Sequence, residues 1–163
     1  MIKKNVLSLF YVFILFAIDR ITKFYIIFVS EAENKLNLFS SKFVNLQLVW
    51  NEGIAFGLLS FRNTHFYQII TFIISIIILI ILIIILREKT KTSEKYGFIL
   101  IAGGALGNFY DRLVNKAVPD FIDLHIGNFH WFIFNIADIF ITIGIIWLIL
   151  IEIFFKNKNN ETI

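Results

Sequence analysis

Three carboxylates lie inside long apolar stretches of the sequence, and their spacing places them at one depth. Asp19 follows about fourteen uncharged residues, Asp111 follows about fifteen, and Asp138 precedes about thirteen. An α-helix rises about 1.5 Å per residue, so each carboxylate would lie roughly 20 Å from one end of its helix. If successive helices run in opposite directions, the three carboxylates share one layer near the same membrane face. Ionisable groups are costly in a membrane, so the sequence predicts a functional site in this layer.

Polar neighbours at helical spacing accompany two of these carboxylates. Asp19 and Lys23 are four residues apart, which places them on one helix face and predicts an ion pair. Asn108 lies three residues before Asp111, and Arg112 follows it directly. We expect Arg112 to hold Asp111 in a charge-assisted pair. A structural interpretation of the Asp19–Lys23 pair stays open, because a neutralised ion pair would also let the helix enter the membrane.

The third carboxylate, Asp138, has no basic residue beside it, and Asn135 precedes it by three residues. An unpaired carboxylate in a membrane is more often functional than structural. Asp120 lies in the connection before the last helix, where position alone favours a solvated loop carboxylate. If that connection folds over the outer end of the helix, Asp120 faces Asp138. Two carboxylates within hydrogen-bond reach can share a proton, which is the arrangement that an aspartic protease needs to activate water.

Other catalytic chemistry has little support in the sequence. Cysteine is absent, which excludes disulfides, thiol nucleophiles and thiolate metal sites. The three histidines, His65, His125 and His130, are scattered and form no His-Glu-x-x-His motif, so a zinc protease is not favoured. We expect them to lie near the membrane surface rather than to bind a metal. The sequence therefore predicts no metal and no other cofactor.

The composition indicates one membrane domain. Of the 163 residues, 58% are hydrophobic, which is more than a soluble domain of this size carries. Gly103 and Gly107 lie on one helix face, where small residues let two membrane helices approach closely. The predicted fold is an all-α membrane protein with four transmembrane helices, over about 5–29, 66–86, 96–113 and 131–155, in a single domain of residues 1–156 that precedes a polar cytoplasmic tail, 157–163.

A small β-containing segment is expected on the extracytoplasmic face, within the long connection 30–65. Val44–Trp50 alternates apolar and polar residues, which is typical of a short strand. The residues Asn51, Glu52 and Gly53 then predict a turn. This connection therefore forms either a small sheet or a loop that partly enters the membrane.

The distribution of basic residues predicts the orientation of the chain. Cytoplasmic segments of membrane proteins carry the excess of lysine and arginine. Eight such residues lie in the two terminal tails and the 87–95 loop, against five in the longer opposite connections. Both termini are therefore predicted to be cytoplasmic, and the carboxylate layer faces outward. The net charge is +3 without a long basic run, so no nucleic-acid partner is expected.

Five ordered sequence blocks resemble the lipoprotein signal peptidase family, also called signal peptidase II. One block alone would be a weak match, but all five in order on a four-helix chain are highly specific. They are Asp19-Arg-Ile-Thr-Lys23, Asn51-Glu-Gly-Ile-Ala-Phe56, Gly103-Gly-Ala-Leu-Gly-Asn-Phe-Tyr-Asp-Arg112, Asp120-Phe-Ile-Asp123 and Phe134-Asn-Ile-Ala-Asp138.

The resemblance implies a membrane aspartic endopeptidase of the bacterial cytoplasmic membrane. It would remove the signal peptide from diacylglyceryl-modified prolipoproteins by cleaving just before the lipidated cysteine. Phospholipid would surround the enzyme, which would act as a monomer without a cofactor. By the same resemblance, Asp120 and Asp138 are the catalytic pair. Eight residues match supporting or substrate-contacting positions: Asp19, Lys23, Asn51, Gly53, Asn108, Asp111, Arg112 and Asn135.

The chain departs from the family pattern at three places. Arg20 stands where glutamine is frequent, Trp50–Gly53 replaces an Arg-Asn-Thr-Gly run, and Pro119 replaces a small aliphatic residue. The first alternative function is a small polytopic transporter or proton relay that uses Asp19, Asp111 and Asp138. The second is a noncatalytic membrane scaffold, which would leave the Asn–Asp spacings unexplained.

Overall fold

The computed structural model describes residues 2–53, 64–87 and 89–155, which form four helices and one small sheet. Residues 54–56 of the second sequence block and the tail 157–163 lie outside the described residues. The elements, in chain order, are α1 (Ile2–Glu33), β1 (Asn37–Ser40), β2 (Val44–Asn51), α2 (Thr64–Leu86), α3 (Thr92–Val114), β3 (Val118–Ile126), β4 (Phe129–Phe134) and α4 (Ile136–Phe155).

The start of the last helix differs from the prediction. It begins at Ile136 and not near residue 131, because Phe129–Phe134 forms strand β4. A short apolar and aromatic run fits a buried strand as well as a helix, so periodicity alone does not separate them. The turn residue Gly127, with φ of +59°, lets β4 fold back on β3. The connection that carries Asp120 is therefore a β-hairpin and not a loop.

The four strands form an antiparallel sheet in the order β1-β2-β3-β4. The predicted strand Val44–Trp50 is confirmed as β2, which extends to Asn51. In the β2–β3 register, Val49 pairs with Asp120 and Asn51 pairs with Val118. The sheet packs against the C-terminal third of α1 through Ile26, Leu48 and Phe121. This contact places the ends of β2 and β3 beside the helices.

Helix α3 packs against each of the other three helices, and its glycines make the close approaches possible. A Cβ on Gly103 or Gly107 would overlap the side chains of Leu15 or Asp19 on α1. The predicted close-packing face is therefore confirmed. On the α4 side, a Cβ on Gly104 would meet the backbone oxygen of Ala137.

Replacement of Gly104 by alanine is expected to destabilise the fold by roughly 1–3 kcal/mol, the usual cost of overpacking. The new methyl group would meet backbone, which cannot rotate away, so α3 and α4 must separate. Unfolding in detergent, followed by circular dichroism, measures the change. Leu113→Ala is the control, because Leu113 lies on the same helix and is 60% exposed. Equal effects of the two substitutions would contradict this account of the α3–α4 contact.

Among the residues that the structure describes, two helices are apolar enough, by length and composition, to cross a membrane, over Tyr67–Leu86 and Ile136–Phe154. The other two helices also present large apolar side chains outward. On α1, Phe13 and Phe24 are among these exposed residues, and on α3 so are Tyr96 and Leu113. An exposed apolar belt of this kind is expected where lipid surrounds the helices.

Candidate active site

A buried network of two carboxylates and two cations joins α1 to α3. The Lys23 Nζ atom lies 3.1 Å from Asp19 Oδ2 and 2.8 Å from Asp111 Oδ2. Arg20 contacts the same two carboxylates, at 2.7 Å from Asp19 Oδ2 and 2.5 Å from Asp111 Oδ1. The Asp19, Lys23 and Asp111 side chains are at most 1% exposed. The predicted Asp19–Lys23 pair is confirmed, and the four charges cancel.

The predicted pairing of Asp111 with Arg112 is wrong. Successive residues of a helix point in directions about 100° apart, so adjacent side chains do not face each other. Arg112 turns the other way and donates from Nη1 to the Gly53 backbone oxygen over 3.0 Å. Arg20 takes the place assigned to Arg112, and it lies over the Tyr110 ring at 4.9 Å. In the sequence, Arg20 stands out only as a departure from the family pattern, and no signal in its spacing indicates its contact with Asp111.

Asn108 connects this network to Asp138 on α4. Its Oδ1 accepts a hydrogen bond of 2.7 Å from Lys23 Nζ, and its Nδ2 donates one of 2.8 Å to Asp138 Oδ1. The Ala137 backbone N–H donates to Asp19 Oδ1 over 3.1 Å. The three carboxylates predicted to share one layer are therefore brought together by hydrogen bonds.

Asn135 and Asp138 cap the N-terminus of α4 reciprocally. Asn135 Oδ1 accepts from the Asp138 backbone N–H, and Asp138 Oδ2 accepts from the Asn135 backbone N–H, both over 3.1 Å. Each bond satisfies a donor that the helix end leaves free. The cap also holds one Asp138 oxygen, while Asn108 holds the other.

Asp120 approaches the same asparagine from strand β3. The Asn135 Nδ2 atom donates to Asp120 Oδ1 over 2.6 Å, and Asn51 Nδ2 donates to Asp120 Oδ2 over 2.8 Å. Burial raises the pKa of Asp120 to about 6, and the charge of Asp138 acts in the same direction. The hydrogen bonds from Asn51 and Asn135 favour the ionised form and oppose this rise. Asp120 therefore holds a proton more readily than an ordinary aspartate.

The 30–65 connection is tied to β3 at Asn51 and to α3 at Gly53. The Asn51 Oδ1 atom accepts from the Gly53 backbone N–H over 2.8 Å, which closes the predicted turn. Gly53 in turn accepts from Arg112 through its carbonyl oxygen. Glu52, between them, is exposed. Gly53 and Arg112, both predicted as supporting residues, thus hold the turn that positions Asn51 against Asp120.

A cavity of about 380 Å³ lies between Asp120 and Asp138. Its polar lining also includes Asn51, Asn108 and Arg112, and its walls are isoleucines of α2, α3 and α4. Such a space holds an extended polar backbone at one end and apolar chains along the walls. Two carboxylates that share one proton at its polar end can activate a water molecule with one group and donate a proton with the other.

Two of the histidines are not scattered as the sequence suggested. His125 and His130 are paired across β3 and β4, beside Asp123. The sequence signal was available, because Asp123 and His125 are two apart in a strand and the turn at Gly127 returns the chain. That cluster is separate from the cavity.

Comparisons with known proteins agree on one family. The sequence model of the family described as signal peptidase (SPase) II matches residues 11–155. The lipoprotein signal peptidase of Pelagibacter ubique is 51% identical over 160 residues, which cover 98% of this chain and 95% of that protein. The lipoprotein signal peptidase of Anaplasma phagocytophilum is 37% identical over 162 residues, which cover 97% and 99%.

Two solved structures of bacterial membrane enzymes share the fold. One is 31% identical, with a TM-score of 0.70, over 95% of this chain and 91% of that one. The other is 32% identical, with a TM-score of 0.66, over 88% and 90%.

Proposed function

The chain belongs to the signal peptidase II family, and from this premise we propose that Asp120 and Asp138 are its catalytic pair. The protein is a bacterial membrane protease that removes signal peptides from lipoproteins. One observation carries the assignment of the pair. Asn135 hydrogen-bonds both carboxylates at the polar end of one cavity. The transporter alternative loses its support, because Asp19 and Asp111 are neutralised in closed ion pairs.

We assign one carboxylate to each proton transfer. Asp120, whose pKa is raised, is taken as the member that carries the shared proton, and Asp138 is taken as the base. Asp138 takes a proton from water as the water oxygen attacks the scissile carbonyl carbon, while Asp120 protonates the carbonyl oxygen. Asp138 then protonates the leaving amine as the C–N bond breaks, and Asp120 recovers its proton from the hydroxyl group. The carboxyl product and the amine leave, and the pair again holds one proton.

The walls of the cavity support a lipid-linked substrate. Isoleucines of α2, such as Ile77 and Ile81, face isoleucines of α4, such as Ile141 and Ile145, below the polar end. A diacylglyceryl group on the cysteine would lie along these walls, with the bond before that cysteine between Asp120 and Asp138. The substrate would enter sideways from the bilayer.

The proposed arrangement in the membrane has four spans and both termini in the cytoplasm. The exposed apolar side chains of α1 and α3 support spans beyond the two most apolar helices. Basic residues of the 87–95 loop support a cytoplasmic position for the end opposite the site. The sheet and the catalytic pair then lie at the outer face, where a monomer meets the exported precursor.

Purified protein incubated with a diacylglyceryl-modified precursor tests the function. Mass spectrometry of the products should show one cut, directly before the lipidated cysteine. The matched control is the same precursor without the diacylglyceryl group, which is expected to be cut far more slowly. Equal cleavage of both precursors would contradict the proposed role of the apolar walls, and no cleavage of either would contradict the function.

The pH dependence of kcat/KM should report the proton on Asp120. Because the pair works with one proton, activity should fall as the pH rises through about 6, where Asp120 ionises. Asn51→Ala removes a hydrogen bond that favours the ionised form, so the pKa of Asp120 rises and the decline moves to higher pH. Asn45→Ala, which removes the comparable bond to Asp123, should leave the decline in place. A decline that Asn51→Ala moves to lower pH would contradict the assignment.

A further inference from the structure

A second polar cluster lies on the sheet, away from the cavity. Asp123 and His125 are two residues apart on β3, so their side chains share one face. His130 is opposite His125 on β4, and the two rings stack with centroids 4.9 Å apart. One carboxylate oxygen of Asp123 and one ring nitrogen of each histidine lie within 4.8 Å of one another. Three residues with metal-binding side chains thus converge from two strands.

The cluster is already partly organised. His130 Nδ1 lies 3.0 and 2.9 Å from the two oxygens of Asp123, which is fully buried. Asn45 Nδ2 donates to Asp123 Oδ2 over 2.9 Å and so orients the carboxylate from the other side. A residue that hydrogen-bonds a metal ligand from behind, as Asn45 does here, commonly fixes the orientation of that ligand.

One atom in the cluster lacks a partner. The Nδ1 atom of His125 is buried and makes no hydrogen bond within the part of the chain that the structure describes. Buried polar atoms are normally satisfied by protein, water or an ion, so this nitrogen calls for an explanation. His125 lies between the other two candidate ligands, Asp123 and His130, in the sequence.

We propose that Asp123, His125 and His130 bind one divalent transition-metal ion, for which Zn²⁺ is the best match. Two imidazoles and one carboxylate are a ligand set of zinc, whereas Mg²⁺ and Ca²⁺ prefer oxygen alone. Zinc–ligand distances of about 2.0–2.1 Å require ligand atoms roughly 3.4 Å apart. The ligand atoms lie within 4.8 Å of one another, so binding would draw the three side chains closer together. His130 is exposed, so a water molecule can take the fourth position.

A metal ion would replace the contact between Asp123 and His130 and would leave the hydrogen bond from Asn45 to Asp123 in place.

The ion would stabilise the hairpin and would not take part in peptide hydrolysis. Asp120 and Asp123 are three residues apart, so their side chains lie on opposite faces of β3, roughly 10 Å apart along the strand. Their partners also differ, since Asp120 bonds Asn51 and Asn135. A metal bridging β3 and β4 would fix the hairpin that leads into α4.

Zinc titration of the tag-free, full-length protein in detergent tests the proposal. Competition with a chromogenic chelator should show one Zn²⁺ bound per chain. His130→Gln, at an exposed position, and His125→Ala should each weaken binding by at least about 10–100-fold, because each removes a ligand and that loss follows even when only the partner behind a ligand is removed. His65→Gln, at the start of α2 and outside the cluster, is the matched control and should bind as the parent does.

Two further measurements separate a metal site from a structural histidine pair. Added Zn²⁺ should raise the thermal midpoint of the parent protein and of His65→Gln, but not that of His130→Gln. Co²⁺ in place of Zn²⁺ should give the visible absorption of a four-coordinate ion only when both cluster histidines are present. The absence of stoichiometric binding, or equal binding by parent and His130→Gln, would overturn the proposal. Precursor cleavage that continues without zinc leaves the proposed peptidase function intact, so the two proposals fail separately.

Discussion

Asp120→Asn and Asp138→Asn are each expected to reduce precursor cleavage at least about 1,000-fold, because each removes one of the two groups that move protons. Asparagine keeps the size of the side chain but can neither accept the proton of the attacking water nor donate one to the carbonyl oxygen. The double variant should be scarcely slower than either single variant, since the carboxylates act as a unit. Single-turnover cleavage of the diacylglyceryl-modified precursor measures all three.

The control for these variants is Glu94→Gln. It makes the same carboxylate-to-amide change in the first turn of α3, at the end of the helix opposite to Asp111. It should cleave at the parental rate. Thermal unfolding should show that both aspartate variants are folded. Activity within tenfold of the parent in either one would remove that residue from the catalytic pair.

Lys23→Met is expected to cost on the order of 3 kcal/mol of folding stability, because it leaves buried carboxylates with one cation in place of two. Lys23 is 1% exposed and contacts Asp19, Asp111 and Asn108. Arg20 remains in contact with both carboxylates, so the cost should stay at the lower end for broken buried ion pairs. Denaturant unfolding in detergent measures the loss.

Two comparisons identify the cause of that loss. Lys35→Met removes an exposed lysine 3.6 Å from Glu33 and should cost less than about 1 kcal/mol. Adding Asp111→Asn to Lys23→Met removes a stranded charge and should recover part of the stability. Simple additivity of the two substitutions would show that no charge is stranded, against this account of the network.

The sequence predicts those parts of the site that lie within one helix or one turn. The Asp19–Lys23 pair follows from helical spacing, and so does the relation of Asn135 to Asp138. The strand over Val44–Trp50 follows from its alternation. In each case the regular geometry of one helix, turn or strand determines which side chains lie on the same face.

Contacts between distant segments are less accessible from the sequence. Asp120 meets Asn51 because of the β2–β3 register, and it meets Asn135 because β4 leads directly into α4. Neither the strand register nor the direct connection between β4 and α4 can be predicted from the spacing of neighbouring residues. Depth alone favours Asp19, Asp111 and Asp138, and only the family resemblance assigns Asp120 to the catalytic pair.

Arg20 and the start of α4 show two further reasons for failure. Arg20 reaches Asp111 because its guanidinium spans the gap between helices that small glycines bring close together. The contact between Arg20 and Asp111 therefore depends on how closely α1 and α3 pack and not on the spacing of residues along either helix. The apolar and aromatic residues 131–134 favour a helix on composition alone, and only the pairing of Phe129–Phe134 with β3 makes them part of a strand.

The most direct test is a crystal structure of the protein with a bound precursor peptide whose scissile carbonyl is replaced by a secondary alcohol. That hydroxyl stands in for the oxygen of the tetrahedral intermediate. It should lie within about 2.6–3.2 Å of an oxygen of Asp120 and an oxygen of Asp138 together. A hydroxyl held instead by Asp19 or Asp111, or by one carboxylate with the other turned away, would contradict the assignment.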